Sequence, residues 1–216
     1  MKISAVIFDL DGTVLDNEDE YGLAFKKVLE SLGARVDTNY PHVGGIGVKE
    51  NWPGLIKKYH LKTKKSYNEL ASETQREYLE LLPRVRMKKG VEKFIKGLRE
   101  SGIKTALATS NVWFILEKVF EELPIEGLFD SLTTGEEVSN KKPAPDLFLA
   151  AVDKLDVRPE ECLVIEDSTS GIKAARESGM KVIAIARDNS HAKDLEGADL
   201  VIRSYNQLTP TALWRI

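Results

Sequence analysis

Short, unbroken apolar runs recur along this chain, each followed by a polar cluster and then by a stretch with helical periodicity. The runs are 3–8 (ISAVIF), 103–108 (IKTALA), 129–134 (FDSLTT), 162–166 (CLVIE), 181–186 (KVIAIA) and 199–202 (DLVI). Apolar residues at consecutive rather than alternating positions suit strands covered on both faces, as in a parallel sheet. Between them, residues 90–100, 112–122, 145–155 and 170–178 carry apolar positions at the spacing of one helix face. Gly102 and Gly179 follow two of these stretches, where a left-handed C-terminal residue belongs. Strand and helix alternating from residue 86 onward predict an α/β fold with a doubly wound, mostly parallel sheet.

One segment departs from that rhythm. Residues 17–85 show helical periodicity, best over 19–32, 48–60 and 67–82, and no convincing strand. The pattern predicts an inserted helical subdomain over 17–85 and an α/β core made of 1–16 and 86–216, with crossings at Asp16–Asn17 and Pro83–Arg84. VGGIG (43–47) reads as a turn opening the second inserted helix, and LKTKKS (61–66) as a solvated basic bend.

Composition narrows the class. Hydrophobic residues make up 42% of the 216 and charged residues 30%, enough to build a proper core. With 31 basic and 34 acidic side chains the net charge is −3, which offers no electrostatic reason to expect nucleic acid or an anionic membrane as partner. The single cysteine, Cys162, excludes an intrachain disulfide and a Cys-based zinc site, and its place in an apolar run predicts a buried structural thiol. No apolar segment approaches the ~20 residues of a membrane helix. The run from Ile3 is cut by Asp9 with no small-residue cleavage site after it, so a cytoplasmic protein is expected.

The chemistry gathers where strands end. Open α/β sheets bind ligands beyond the carboxyl ends of their strands. After the first run come Asp9 and Asp11, then Gly12 and Thr13; after KTALA come Thr109, Ser110 and Asn111; after LVI come Glu166 and Asp167. The loop SNKKPAPD adds Lys141 and Lys142. Each piece has an ordinary structural reading, as a turn, a helix cap or a surface lysine. Their convergence on one rim of one sheet is what points to a site. Asp9 and Asp11, two apart, face the same way in extended chain, and two like charges about 4 Å apart repel by roughly 4 kcal/mol at an effective dielectric near 20. A positive partner is required.

The order D-L-D-G-T, hydroxyl, K-P and E-D resembles the haloacid dehalogenase superfamily of phosphotransferases. An insertion between the first and second motifs resembles the subgroup with a helical cap, which includes phosphoglycolate phosphatase-like enzymes and β-phosphoglucomutase. The resemblance implies a Rossmann-like core and a Mg²⁺-dependent phosphatase acting on a small phosphorylated metabolite through an aspartyl-phosphate. It implies Asp9 as nucleophile, Asp11 as acid/base, and Thr109 and Lys142 as catalytic groups. It implies a metal site from Asp9, Asp11 (through its carbonyl) and Asp167, with Glu166 supporting it. Gly12, Thr13, Ser110, Asn111, Asn17, Glu18, Lys49 and Trp52 are the expected phosphate or substrate contacts, with Trp113 a further candidate. Its partner is the metabolite alone, and the expected state is a monomer or weak homodimer.

Sugar-phosphate mutases of this subgroup usually carry a His in the linker and an Arg opening a cap helix. Tyr21 and Lys49 or Glu50 stand there instead, which favours phosphatase over mutase. A non-catalytic phospho-acceptor module would have no use for Asp11 or for so long an insertion. His42, His60 and His191 show no metal-ligand spacing and receive no expected role.

Overall fold

The computed structural model describes residues 3–209, so residues 1–2 and 210–216 of the expected core lie outside the description. Its strands are β1 (Ala5–Phe8), β2 (Leu15–Asp16), β3 (Arg86–Met87), β4 (Lys104–Thr109), β5 (Ser131–Thr134), β6 (Cys162–Glu166), β7 (Lys181–Ile185) and β8 (Leu200–Ile202). Its α-helices are α1 (Glu18–Ser31), α2 (Val48–Lys58), α3 (Tyr67–Leu81), α4 (Val91–Glu100), α5 (Trp113–Glu122), α6 (Asp146–Leu155), α7 (Thr169–Glu177) and α8 (Asn189–Asp194).

Six strands form one sheet in the order β5-β4-β1-β6-β7-β8, every pair parallel, with Phe8 level with Leu107 on one side and Ile165 on the other. The chain winds from β1 through β4 to β5, then crosses to β6 and winds the other way to β8. This is the expected doubly wound α/β core. The reversal sets the carboxyl ends of β4, β1 and β6 side by side.

Both sheet faces are covered, which is why the strands read as unbroken apolar runs. Val6 and Phe8 share one apolar cluster with Phe94 and Leu98 of α4 and Ile115 and Val119 of α5. Ala5 and Ile7, pointing the opposite way, share another with Phe148 and Val152 of α6 and Ile172 of α7.

Residues 18–81 contribute α1, α2 and α3. α3 packs against both others. It begins with a capping box, in which the Ser66 hydroxyl accepts from the Glu69 N–H and the Glu69 carboxylate accepts from the Ser66 N–H. Phe25, Trp52, Leu70 and Tyr78 from these helices join the same apolar cluster as Phe8.

Three elements, β2, β3 and α8, carry no pattern visible in the sequence. Antiparallel β2 and β3 pair Leu15 with Met87 and Asp16 with Arg86, tying the outgoing and returning chain together. Two residues per strand are too few to show a period. Helix α8 buries none of its residues, so it presents no apolar face to read.

Candidate active site

Asp9 continues β1 past its last apolar residue, its N–H bonded to the Ile165 carbonyl at 3.0 Å. The chain then turns tightly: the N–H groups of Thr13, Val14 and Leu15 all reach the Leu10 carbonyl, and Gly12 adopts φ +69. A Cβ at position 12 would lie 1.9 Å from Asp167 Oδ2. Glycine is therefore required twice, for its backbone conformation and for the approach of a carboxylate.

Asp9, Lys142, Glu166 and Asp167 are brought together and buried. Lys142 Nζ donates to Asp9 Oδ1 at 2.5 Å and to Glu166 Oε1 at 2.7 Å, lying over the Phe148 ring. Glu166 Oε2 accepts from the Asp167 and Ser168 N–H groups and from the Ser168 hydroxyl, at 2.6–2.8 Å. Both its oxygens are thus engaged, and Glu166 orients Lys142 and the turn into α7. Thr109 ends β4, and its hydroxyl accepts from the Asn111 N–H at 3.1 Å.

Asp11 is held on both sides. Asn17 Nδ2 donates to Asp11 Oδ1 at 2.6 Å and Asn111 Nδ2 donates to Asp11 Oδ2 at 2.7 Å. Asn17 is itself fixed, accepting from the Gly12 N–H at 3.0 Å and lying 2.8 Å from the Tyr78 hydroxyl. The Tyr21 hydroxyl donates to Asn111 Oδ1 at 3.0 Å. Tyr21 and Tyr78 stack at 3.9 Å between centroids, so a ring of contacts closes around one carboxylate.

The loop between α1 and α2 lies across this site. Ser110 Oγ donates to the Gly45 carbonyl at 2.8 Å and Ser170 Oγ to the Gly44 carbonyl at 3.0 Å. A Cβ on Gly45 would fall 2.0 Å from Ser168 Oγ, so only glycine admits this approach. Asn51 braces the loop through the Val43 N–H and carbonyl and the Gly47 carbonyl. Beneath it remains a chamber of about 30 Å³ lined by Asp9, Asp11, Glu18, Tyr21, His42 and Asn111 among others. That is room for no more than a few water molecules.

Several expected substrate contacts stand elsewhere. Trp52 is fully buried against Phe25 and packs the helices together. Lys49, on the exposed side of α2, lines a neighbouring cavity with Lys141 rather than the chamber. Trp113 is 41% exposed, with its ring N–H on Glu117. Thr13 is buried with its hydroxyl unpartnered.

The electrostatics are lopsided. Burial pushes Asp9 and Asp167 well above the carboxylate range; neighbouring acids add to the rise, and Lys142 only partly opposes it at Asp9. Burial raises Asp11 to about 6 against the pull of its Asn17 hydrogen bond. Lys142, which burial alone would lower, is raised by Asp9 and Glu166 and stays charged. One lysine thus serves a crowd of acids. Neither oxygen of Asp167, nor Asp9 Oδ2, bonds to a described residue. No three His, Cys, Asp or Glu side chains among the described residues form a ligand set alone. The arrangement fits a hard cation that takes two carboxylates, a carbonyl and waters.

A family model described as haloacid dehalogenase-like hydrolase matches residues 6–185. The chain belongs to the haloacid dehalogenase-like hydrolase family. Among curated relatives of this hydrolase is a phosphorylated carbohydrates phosphatase of Thermotoga maritima, 33% identical over 84% of each chain. The β-phosphoglucomutase of Bacillus subtilis is 30% identical over 96% of this chain and 92% of its own. Among solved structures, a β-phosphoglucomutase of Clostridium difficile superposes with TM-score 0.87 at 26% identity, covering 99% of this chain and 96% of the other.

Sequence reading of the hydrolase passed over Tyr78, Asn51, Ser170 and His42. Tyr78 and Asn51 sit on helix faces like any packed residue, and only their partners distinguish them. Gly44–Gly45 is a local signal for close approach, but its target is invisible in one dimension.

Proposed function

We propose that this hydrolase is a Mg²⁺-dependent phosphatase that cleaves a small phosphorylated metabolite through an aspartyl-phosphate on Asp9. The observation that carries this reading is Asp9 itself: buried, one oxygen on Lys142, the other without a protein partner, and Asp11 clasped two residues away. The Asp9 carboxylate attacks phosphorus while the ester P–O bond breaks and Asp11 gives its proton to the leaving oxygen. Water then attacks the phosphorus of the acyl phosphate, its proton passing to Asp11. The bond to Asp9 breaks, and phosphate leaves with the carboxylate restored.

Lys142 faces the negative charge that spreads over the phosphoryl oxygens. The Thr109 hydroxyl, which accepts from Asn111, keeps its own hydrogen for one of them. Magnesium on Asp9, Asp167 and the Asp11 carbonyl, with water, would supply the charge that offsets both the carboxylates and the phosphate. Residues 17–85 serve as a cap on the core of 1–16 and 86–216. The serine bonds to Gly44 and Gly45 support that role, because they close the loop over Asp9.

Phosphate release from a panel of phosphorylated sugars and acids, with magnesium and with excess chelator, tests the reading. Asp9→Asn is expected to abolish release while the melting temperature stays level or rises, since one repelling charge is gone. Release that survives in that variant removes Asp9 from its role. Isomer formed from a hexose phosphate faster than free phosphate would make the enzyme a mutase.

A further inference from the structure

The chamber that holds Asp9 and Asp11 is walled by a third acid, Glu18, by His42, and by the aromatic rings of Tyr21 and Phe25. No lysine or arginine lines it among the described residues. Lys142, though bonded to Asp9, is not part of that wall. Arg187 lies 4.0 Å from Glu18 Oε2, outside the chamber, in an adjoining cleft that Glu18 also lines.

His42 is fixed and underused. Its side chain is 6% exposed, its ring stacks on Phe25 at 4.8 Å, and its Nδ1 is buried without a partner. Its Nε2 lies 3.7 Å from Glu18 Oε2, too far for a hydrogen bond. Burial holds the ring neutral at ordinary pH, its pKa lowered to about 4. A neutral imidazole and a carboxyl group side by side match a hydroxyl, which both donates and accepts.

We propose that the chamber selects phosphate esters whose leaving group is an uncharged, hydroxyl-bearing fragment, with His42 and Glu18 as the specificity-determining residues. The proposal rests on the catalytic reading above, because the leaving oxygen must lie beside Asp11 and the chamber carries both Asp9 and Asp11. A second anionic group entering there meets three acids and no cation, and like charges brought together in a desolvated site are penalised. With the 43–47 loop seated the chamber has room only for water-sized molecules, so admitting the leaving group requires that loop to move aside. The competing place for its far end is the cavity beyond Ser110 and Asn111, where Lys49 and Lys141 would welcome an anion.

Matched esters differing in one group decide between them: hydroxyethyl phosphate against phosphoglycolate, and glycerol phosphate against phosphoglycerate. The neutral member of each pair is expected to win in kcat/KM by about tenfold or more, on the scale of about one and a half kcal/mol per decade. Glu18→Gln is expected to narrow that ratio. His42→Phe is expected to erase the preference for hydroxyethyl over ethyl phosphate. Equal or better turnover of the acids overturns the proposal, and loss of that preference in Lys49→Met would assign the far end to the lysine-bearing cavity. Calorimetric binding of the same pairs to Asp9→Asn separates the two readings. Turnover without a binding preference sinks the selection, whereas a binding preference without turnover in the wild type sinks only the catalysis.

Discussion

Asn17 is the residue whose removal tests the clasp most directly. Its amide donates to Asp11 at 2.6 Å, contacts Tyr78 at 2.8 Å and accepts from the buried Gly12 N–H at 3.0 Å. Asn17→Ala deletes all three contacts. Burial raises Asp11 to about 6, and the Asn17 hydrogen bond is the largest influence pulling it down. A hydrogen bond to a charged group contributes about 1.5–3 kcal/mol, and one pKa unit corresponds to about 1.4 kcal/mol. The variant's Asp11 is therefore expected to titrate roughly one to two units higher.

If Asp11 must be protonated to release the leaving group, the alkaline limb of kcat/KM moves up in pH by that amount. Tyr78→Phe, which keeps the amide but removes its hydroxyl partner, is expected to move the limb less. Stability carries the same sign. A carboxyl whose folded pKa lies above its unfolded 3.8 favours folding at low pH, and that contribution is lost as pH rises through the folded value. The stability deficit of Asn17→Ala is thus expected to be larger at about pH 8 than at about pH 5 in urea titrations. A pH–rate profile of Asn17→Ala coincident with wild type would refute the clasp as the control on Asp11.

Lys142→Met leaves Asp9 and Glu166 buried without their shared cation. It is expected to cost about 3–5 kcal/mol in urea denaturation and to remove most phosphate release. Gly12→Ala drives a methyl to 1.9 Å from Asp167 Oδ2 at a φ of +69, and is expected to lower both the melting temperature and phosphate release. The Cys162 thiol, which burial pushes to about 12, is expected to resist iodoacetamide in the folded protein and to react in urea; ready alkylation under native conditions would contradict its burial.

What the chain states on its own is its local grammar. Continuous apolar runs specify strands buried on both faces, and the polar residues after β1, β4 and β6 must emerge at one rim because parallel strands share a direction. Asp9, Asp11, Thr109 and Asp167 could be placed at that rim for that reason and Lys142 in the loop before α6, and the helical character of residues 18–81 was readable from its period. Only the tertiary structure decided which groups face which. Asp11 meets Asn111 across 100 positions and Asn17 meets Tyr78 across 61, contacts no periodicity encodes. Glu166 turned to Lys142, Trp52 went into the packing, and His42, with no motif around it, came to the chamber wall. Period and spacing report the direction in which a side chain leaves its own backbone; its partner depends on how separate elements pack, and that is settled by the whole molecule at once.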